Sequence, residues 1–290
     1  MRIERAKEMG FCFGVKRAIR LVERAAREYG HLETLGPLVH NQMVVDGMAG
    51  RGVRAVDSLE EISGPRVAIA SHGVGPQVLE EIRKHHFQVI DATCPWVARA
   101  QKAAQRLTQA GFLVILLGDA EHPEVKGVLG WASDRGIAVQ NEGELPDLKG
   151  LPRRLGVISQ STQSPERFAE FARKIVDLGL GRSIELRIVN TICDATPRRQ
   201  AATLDLAQRV DAMVVVGGQS SANTCRLALL CSGSGVETRQ VETADDIEET
   251  WLESHHRVGV TAGTSTPDEA IDGVVRRLEE LAGRGVPGAG

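Results

Sequence analysis

Three of the five cysteines stand at the same point of a repeated frame, one in each third of the chain. The frames begin at Cys12, Cys94 and Cys193. Each has a β-branched residue three places after the thiol (Val15, Val97, Thr196) and an arginine five places after it (Arg17, Arg99, Arg198). A helical run follows each thiol, predicted over 15–29, 96–110 and 198–209. A repeat that sets one thiol at the head of each of three equivalent helices predicts three similar structural units and a threefold metal site.

Iron–sulfur chemistry suits that set better than the alternatives. A helix N-terminus carries unbonded N–H groups and positive partial charge, which lowers a thiol's pKa and favours the metal-bound thiolate. Structural zinc takes four ligands, often from close C-x-x-C pairs, and the sequence has none. Disulfides are the poorer reading, because the cysteine count is odd, the 290-residue chain can build its own core, and no secretory signal opens it. Each cysteine alone would read as a small buried hydrophobe; the shared frame reverses that for the set. Cys225 and Cys231 lie outside the frame and read as core or incidental thiols. Three thiolates on a [4Fe–4S] cluster leave one iron open to a substrate oxygen, so the group can serve as Lewis acid and electron source.

Composition narrows the field. Hydrophobic content of 42% and charged content of 25% are those of an ordinary globular protein. A formal net charge of −3 gives no basic field for nucleic acid. Aromatic content of 3% leaves few platforms for stacking bases. The longest apolar run, 112–117, is too short to span a bilayer, and reduced thiols point to the cytoplasm.

Short apolar runs alternate with amphipathic ones. Strands are expected at 66–70, 88–90, 113–117, 156–159, 184–189, 212–216 and 258–261, and further helices at 76–85, 165–178, 224–230 and 267–281. That alternation predicts α/β units with parallel sheets. Three similar lobes around a central cavity are expected, at 1–94, 95–192 and 193–283, with 284–290 a disordered tail.

Ligands of such sheets gather where strands end and helices begin. Polar loops occupy those places. His40, His72 and His122 sit there beside glycine or proline. A lone loop histidine is more often solvated than a ligand contact. Together with Ser221, Asn223 and Ser265, these three supply donors suited to the oxygens of a small phosphorylated or diphosphorylated substrate, without a Walker-type lysine loop. Glu124, after Pro123, reads either as a helix-start charge or as a proton donor with a raised pKa. Ser161 and Thr162 read either as its relay, or as groups that orient the substrate hydroxyl, or as caps for the helix near Pro165.

The segments GFCFGV (10–15), LVHN (38–41), SHGV (71–74), DATCP (91–95), HPEV (122–125), TICDAT (191–196), RQA (199–201) and TAGTSTP (261–267) closely resemble the 4-hydroxy-3-methylbut-2-enyl diphosphate reductase family. The resemblance runs over almost the whole chain. It implies a trefoil of three α/β lobes around a [4Fe–4S] cluster on Cys12, Cys94 and Cys193. It also implies diphosphate binding by His40, His72, His122, Ser221, Asn223 and Ser265, with Glu124 as proton donor. The implied reaction removes an allylic hydroxyl with two electrons and two protons, the last step of the methylerythritol phosphate route to isoprenoids. The implied electron source is a ferredoxin- or flavodoxin-type carrier, with no nucleic-acid or membrane partner.

Four positions depart from the family pattern. Ser161 stands where threonine is usual, Gln219 replaces a lysine, Ala222 removes a hydroxyl, and Asn190 replaces an aspartate. Two other readings therefore stay open: a paralogue with a changed substrate, and a non-catalytic iron–sulfur sensor. Glu124 argues against the sensor, which needs no proton donor.

Overall fold

The computed structural model of the chain describes residues 1–147, 150–180, 183–252 and 254–284. Residues 285–290 of the expected disordered tail lie outside it.

The chain opens with β1 (Arg2–Arg5) and α1 (Phe13–Tyr29). The first lobe follows: β2 (Leu32–Leu35), α2 (Gln42–Ala49), β3 (Val53–Val56), β4 (Arg66–Ile69), α3 (Pro76–Lys84) and β5 (Gln88–Asp91). Then α4 (Pro95–Gln109) leads to β6 (Leu113–Leu117), α5 (Pro123–Trp131), β7 (Gly136–Val139), β8 (Arg154–Ser159), α6 (Pro165–Gly179) and β9 (Glu185–Ile188). Finally α7 (Ala195–Ala207) leads to β10 (Ala212–Val216), α8 (Ala222–Gly233), β11 (Glu237–Val241), the short α9 (Glu249–Leu252), β12 (Arg257–Ala262) and α10 (Asp268–Arg284).

Among the described residues these strands form three four-stranded parallel sheets, ordered β3-β2-β4-β5, β7-β6-β8-β9 and β11-β10-β12-β1. All three share one plan. The first strand to enter lies second, and the fourth lies at the edge beside the third. In the last sheet the fourth place is taken by the N-terminal strand, with Arg2 opposite Arg257 and Arg5 opposite Val260. Each cysteine of the frame therefore follows the fourth strand of one sheet and heads the helix that runs to the next. The three similar α/β lobes expected from the frame are present. The chain packs as two compact units, one of residues 1–16, 39–47 and 194–290, the other of 17–38 and 48–193. Among the described residues no helix is long and apolar enough to cross a membrane.

Sheets covered on both faces need strands that are apolar throughout. β6 and β10 meet that requirement, with Val114–Leu117 and all of β10 buried. In the second lobe Val114, Leu116 and Ile158 pack with Ala100, Ala104, Val125 and Val128 of α4 and α5. On the other face Ile115, Leu117 and Val157 meet Phe168, Phe171 and Ile175 of α6. In the third, Val214, Val216 and Val260 meet Val274 and Leu278 of α10. Each such aliphatic side chain contributes about 1.5–3 kcal/mol by leaving water.

Hydrogen bonds repeat with the strands. Gly36, Gly118 and Gly217, each next after the first strand of its lobe, donate to Val56, Val139 and Val241, each the last residue of the second strand. Cys12, Cys94 and Cys193 donate their amides to the carbonyls of Thr264, Ser71 and Ser161 at 3.2, 2.9 and 3.0 Å. Those three acceptors each lie two residues past the third strand of their lobe. The thiols are thus pinned at the carboxyl edge of each sheet by one recurring bond.

Candidate active site

The sequence-predicted site residues fall into two groups, one in each compact unit.

In the first unit, Cys12 precedes α1, and Val15 directs its amide at the Cys12 Sγ at 3.5 Å. The Arg199 guanidinium, buried on α7, donates to the Gly10 carbonyl and so fixes the loop that carries the thiol. Ser265, next after the residue that holds the Cys12 amide, donates its hydroxyl to the His40 carbonyl at 3.2 Å. The glycine loop closes on the same place. A Cβ on Gly218 would lie 3.0 Å from the His40 carbonyl oxygen. Gly217 has φ of +142°, and a Cβ there would fall 2.5 Å from the Thr266 hydroxyl, so only glycine fits. Ser221 is the N-cap of α8, accepting from the Thr224 amide at 3.4 Å. Asn223 is buried in the first turn of that helix, and its Nδ2 has no protein partner among the described residues. An unmet buried donor at a helix start is what an anionic ligand would satisfy. Burial pulls the pKa of His40 below its ordinary value, so at neutral pH its ring is an uncharged donor.

In the second unit the central pair is Glu124 and Ser161. The Glu124 carboxyl is buried; it accepts the Ser161 amide at Oε1 (2.6 Å) and the Ser161 hydroxyl at Oε2 (2.8 Å). Burial pushes the Glu124 pKa up, and the two bonds from Ser161 only partly oppose it. His122 is the N-cap of α5, with Nδ1 accepting the Glu124 amide at 3.1 Å. A ring nitrogen that accepts carries no proton, so neutral His122 holds its proton on Nε2. The His72 Nδ1 lies 3.1 Å from the Gly73 carbonyl, which can only accept, so the proton in that bond is on Nδ1. The Thr162 hydroxyl and the Gln160 side-chain nitrogen are shielded from solvent without a protein partner among the described residues. The cap of α6 is Ser164, which accepts from the Arg167 amide, so Ser161 and Thr162 are not used as caps.

Cys94 is the N-cap of α4 with Pro95 at the first helical position, and Cys193 lies two residues before α7. All five cysteines are outside disulfides. The three of the frame are partly exposed, whereas Cys231 is buried and its thiol is pushed up to about 12 by burial. Among the described residues no group of three or more His, Cys, Asp or Glu side chains stands ready to hold a metal ion.

Three supporting residues were not singled out from the sequence. Arg199 lies in the RQA segment, but its burial is not visible in the sequence. The Thr191 hydroxyl accepts the Ser159 amide at 2.9 Å and donates to the Ser159 carbonyl, tying the end of β8 to the segment before Cys193. Gln160 accepts the Asp119 amide at 3.3 Å. A lone threonine and a lone glutamine give no pattern to read.

Fold and site together define a three-lobed parallel α/β protein with thiol-headed helices and an acid–hydroxyl pair at the carboxyl edge of its second-lobe sheet. The profile of the family described as LytB protein matches residues 3–279, and the chain belongs to that family. A 4-hydroxy-3-methylbut-2-enyl diphosphate reductase of Dehalococcoides mccartyi strain CBDB1 is 47% identical over 282 residues, covering 97% of this chain and 99% of the relative. One from Geobacter metallireducens is 42% identical over 281 residues, covering 97% and 98%. The solved structure of an (E)-4-hydroxy-3-methyl-but-2-enyl diphosphate reductase aligns at 38% identity with a TM-score of 0.68, over 97% of this chain and all of that one. The Plasmodium falciparum E-1-hydroxy-2-methyl-but-2-enyl-4-diphosphate reductase aligns at 26% identity with a TM-score of 0.88, over 95% and 87%.

Membership of this family brings a [4Fe–4S] cluster with it, and the cysteines fit such a group. They are the right donors, at helix starts, partly exposed, with a backbone N–H already directed at one sulfur.

Proposed function

We propose that the chain catalyses the reductive dehydroxylation of 4-hydroxy-3-methylbut-2-enyl diphosphate to isopentenyl and dimethylallyl diphosphate, in the cytoplasm, with electrons from a ferredoxin- or flavodoxin-type carrier. The balance is substrate plus two electrons and two protons, giving product and one water. Near-full-length likeness to reductases of that name supports the substrate. The single observation that carries the chemistry is the buried Glu124 carboxyl in two hydrogen bonds with Ser161.

Cys12, Cys94 and Cys193 would hold the cluster, with one iron left open. When bound it supplies reducing electrons and a Lewis-acidic position for the substrate hydroxyl. The chain's own side chains do the rest. Glu124 keeps its proton to higher pH than an exposed carboxyl would, because its anion is desolvated. The Ser161 hydroxyl on Oε2 can turn to accept that proton and hand its own to the departing oxygen, so that water rather than hydroxide leaves. His122 offers an N–H at Nε2 from the start of α5, and neutral His40 offers one N–H, so diphosphate oxygens are met by hydrogen bonds more than by fixed cations. Ser221 and Asn223 add hydroxyl and amide donors at the start of α8, and the Ser265 hydroxyl, after β12, would join them by turning away from the His40 carbonyl. The intact Glu124–Ser161 pair favours an enzyme over a sensor.

Anaerobic turnover of the purified diphosphate with a reduced viologen, with product analysis, tests this directly. Cys12→Ser, Cys94→Ser and Cys193→Ser should each lose most bound iron and sulfide, whereas Cys225→Ala should keep them. Spectral change on adding substrate with no loss of the hydroxyl would establish the sensor reading instead.

A further inference from the structure

Arg99, Lys102 and Arg106 line one exposed face of α4, beginning one turn past Cys94. Between that face and Val189 lies an open concavity of about 360 Å³, lined by the apolar Pro95, Ala98, Ala103 and Val189 together with the three cations. None of the three forms an ion pair among the described residues. Glu185, the acid on the adjoining strand β9, is already taken by Arg154 and Arg187 at 2.9 and 3.2 Å. Arg99 also bonds the Asn190 carbonyl at 2.7 Å and lies over the Trp96 ring at 5.2 Å, which holds its guanidinium in place. A cluster of uncompensated cations on a chain whose net charge is −3 makes a local field that attracts an acidic surface.

The position gives the charge a purpose. Pro95 is bonded to Cys94, and Asn190, held by Arg99, is three residues before Cys193. A protein seated in the concavity therefore sits at the shoulder of two thiols. We propose that this face of α4 is the docking surface for a small acidic electron-carrier protein, which delivers its electrons beside Cys94 and Cys193. This rests on the reductase reading above. Each encounter oxidises one carrier by one electron. Two encounters supply the pair that, with two protons, is consumed as the C–O bond breaks and water leaves. A mixed apolar and basic lining suits a transient interface steered by charge.

The test is binding of an acidic bacterial-type ferredoxin to the holoprotein, by titration, at about 50 mM and about 500 mM salt. A parallel assay follows turnover with reduced viologen. The double variant Lys102→Glu/Arg106→Glu should weaken binding about tenfold or more at low salt, with the difference shrinking at high salt. Viologen-driven turnover should stay within about twofold of wild type, since neither residue touches the substrate groups. Arg173→Glu/Lys174→Glu, the same charge change on α6, should bind as wild type. Equal weakening by both double variants, or ferredoxin binding untouched by the α4 variant, overturns the proposal. So does a wild type that does not bind. Absence of turnover with viologen in the wild type would instead overturn the reductase reading, while the binding result still stands by itself.

Discussion

Ser161 holds both oxygens of Glu124 at once, through its amide at 2.6 Å and its hydroxyl at 2.8 Å, while its own carbonyl receives the Cys193 amide at 3.0 Å. One residue therefore links the candidate proton donor to the candidate cluster ligand. A carboxyl located by two bonds on one neighbour keeps its place whether or not it is protonated.

Glu124→Gln should leave bound iron and sulfide unchanged and lower turnover by roughly 10²–10⁴-fold. It should not lower stability. The folded-state pKa of Glu124 is raised, so its ionisation works against folding as pH climbs from the unfolded value through the folded one. The variant escapes that loss. Thermal melts of the two proteins from pH 4 to pH 8 should therefore diverge in favour of the glutamine form as pH rises. A glutamine form that is the less stable at pH 8 would contradict the buried, proton-holding carboxyl.

Ser161→Ala removes the hydroxyl bond that helps the Glu124 anion, so the Glu124 pKa should move further up. With Glu124 as the proposed proton donor, turnover follows the protonated acid, and its alkaline limb should shift to higher pH. The maximum should also fall, by about tenfold or more, for want of the relay. Ser161→Thr restores the hydroxyl and should restore the limb. An unmoved limb in the alanine variant separates Ser161 from the proton's path.

Thr191→Val keeps the shape of a fully buried side chain and strips its bonds to the amide, the carbonyl and the hydroxyl of Ser159. Leaving the Ser159 amide without its partner should cost about 1–3 kcal/mol, read from urea melts. The loop carrying Ser161 begins there, so kcat should fall more than KM rises. Thr191→Ser should recover both. Wild-type kcat in the valine form would show that β8 needs no such tie.

Glu33 offers a stability switch far from this chemistry. It is buried in β2; burial pushes its pKa up, but bonds from Ser63 and Arg54 outweigh that and hold it at about 2. A depressed carboxylate contributes stability that is whole above its unfolded pKa of about 4.3 and lost as pH falls toward 2. Glu33→Gln should cost roughly 2–3 kcal/mol at pH 7, with the gap to wild type closing between pH 4 and pH 2. A gap that stays constant over that range would mean the ion contributes nothing beyond its shape.

The parts of the fold that could be read in advance are those where local pattern and burial agree. Strands β6 and β10 are apolar from end to end, and their bounds match the expected 113–117 and 212–216. The three cysteine-headed helices are likewise present. The strands not foreseen fail that agreement. Arg2–Arg5 and Glu237–Val241 are edge strands with charged or polar side chains facing water, so their composition resembles a loop. β2 is internal yet centred on Glu33, whose partners at 54 and 63–64 are invisible to a local reading. Helix α5 was hidden by Gly127 and Gly130, poor helix formers that let its backbone approach another; a Cβ on Gly130 would lie 2.9 Å from the Gly75 Cα. At the site, motifs supplied the candidates for direct roles. Thr191 and Arg199 act through other residues, and only coordinates reveal what they hold.

The pairing of β1 with β12 also sets a timetable. The first strand made has to wait for the last strand, some 250 residues later, before its sheet edge exists. At roughly 5–20 residues per second, that delay is tens of seconds on the ribosome. The second lobe has its four strands in uninterrupted order and can close long before. Cys12, whose amide bond reaches Thr264, must stay unpinned until residue 264 has been made. A nascent chain arrested before residue 257 should therefore leave Cys12 open to alkylation, and loading of its thiolate has to wait until β12 and Thr264 have emerged.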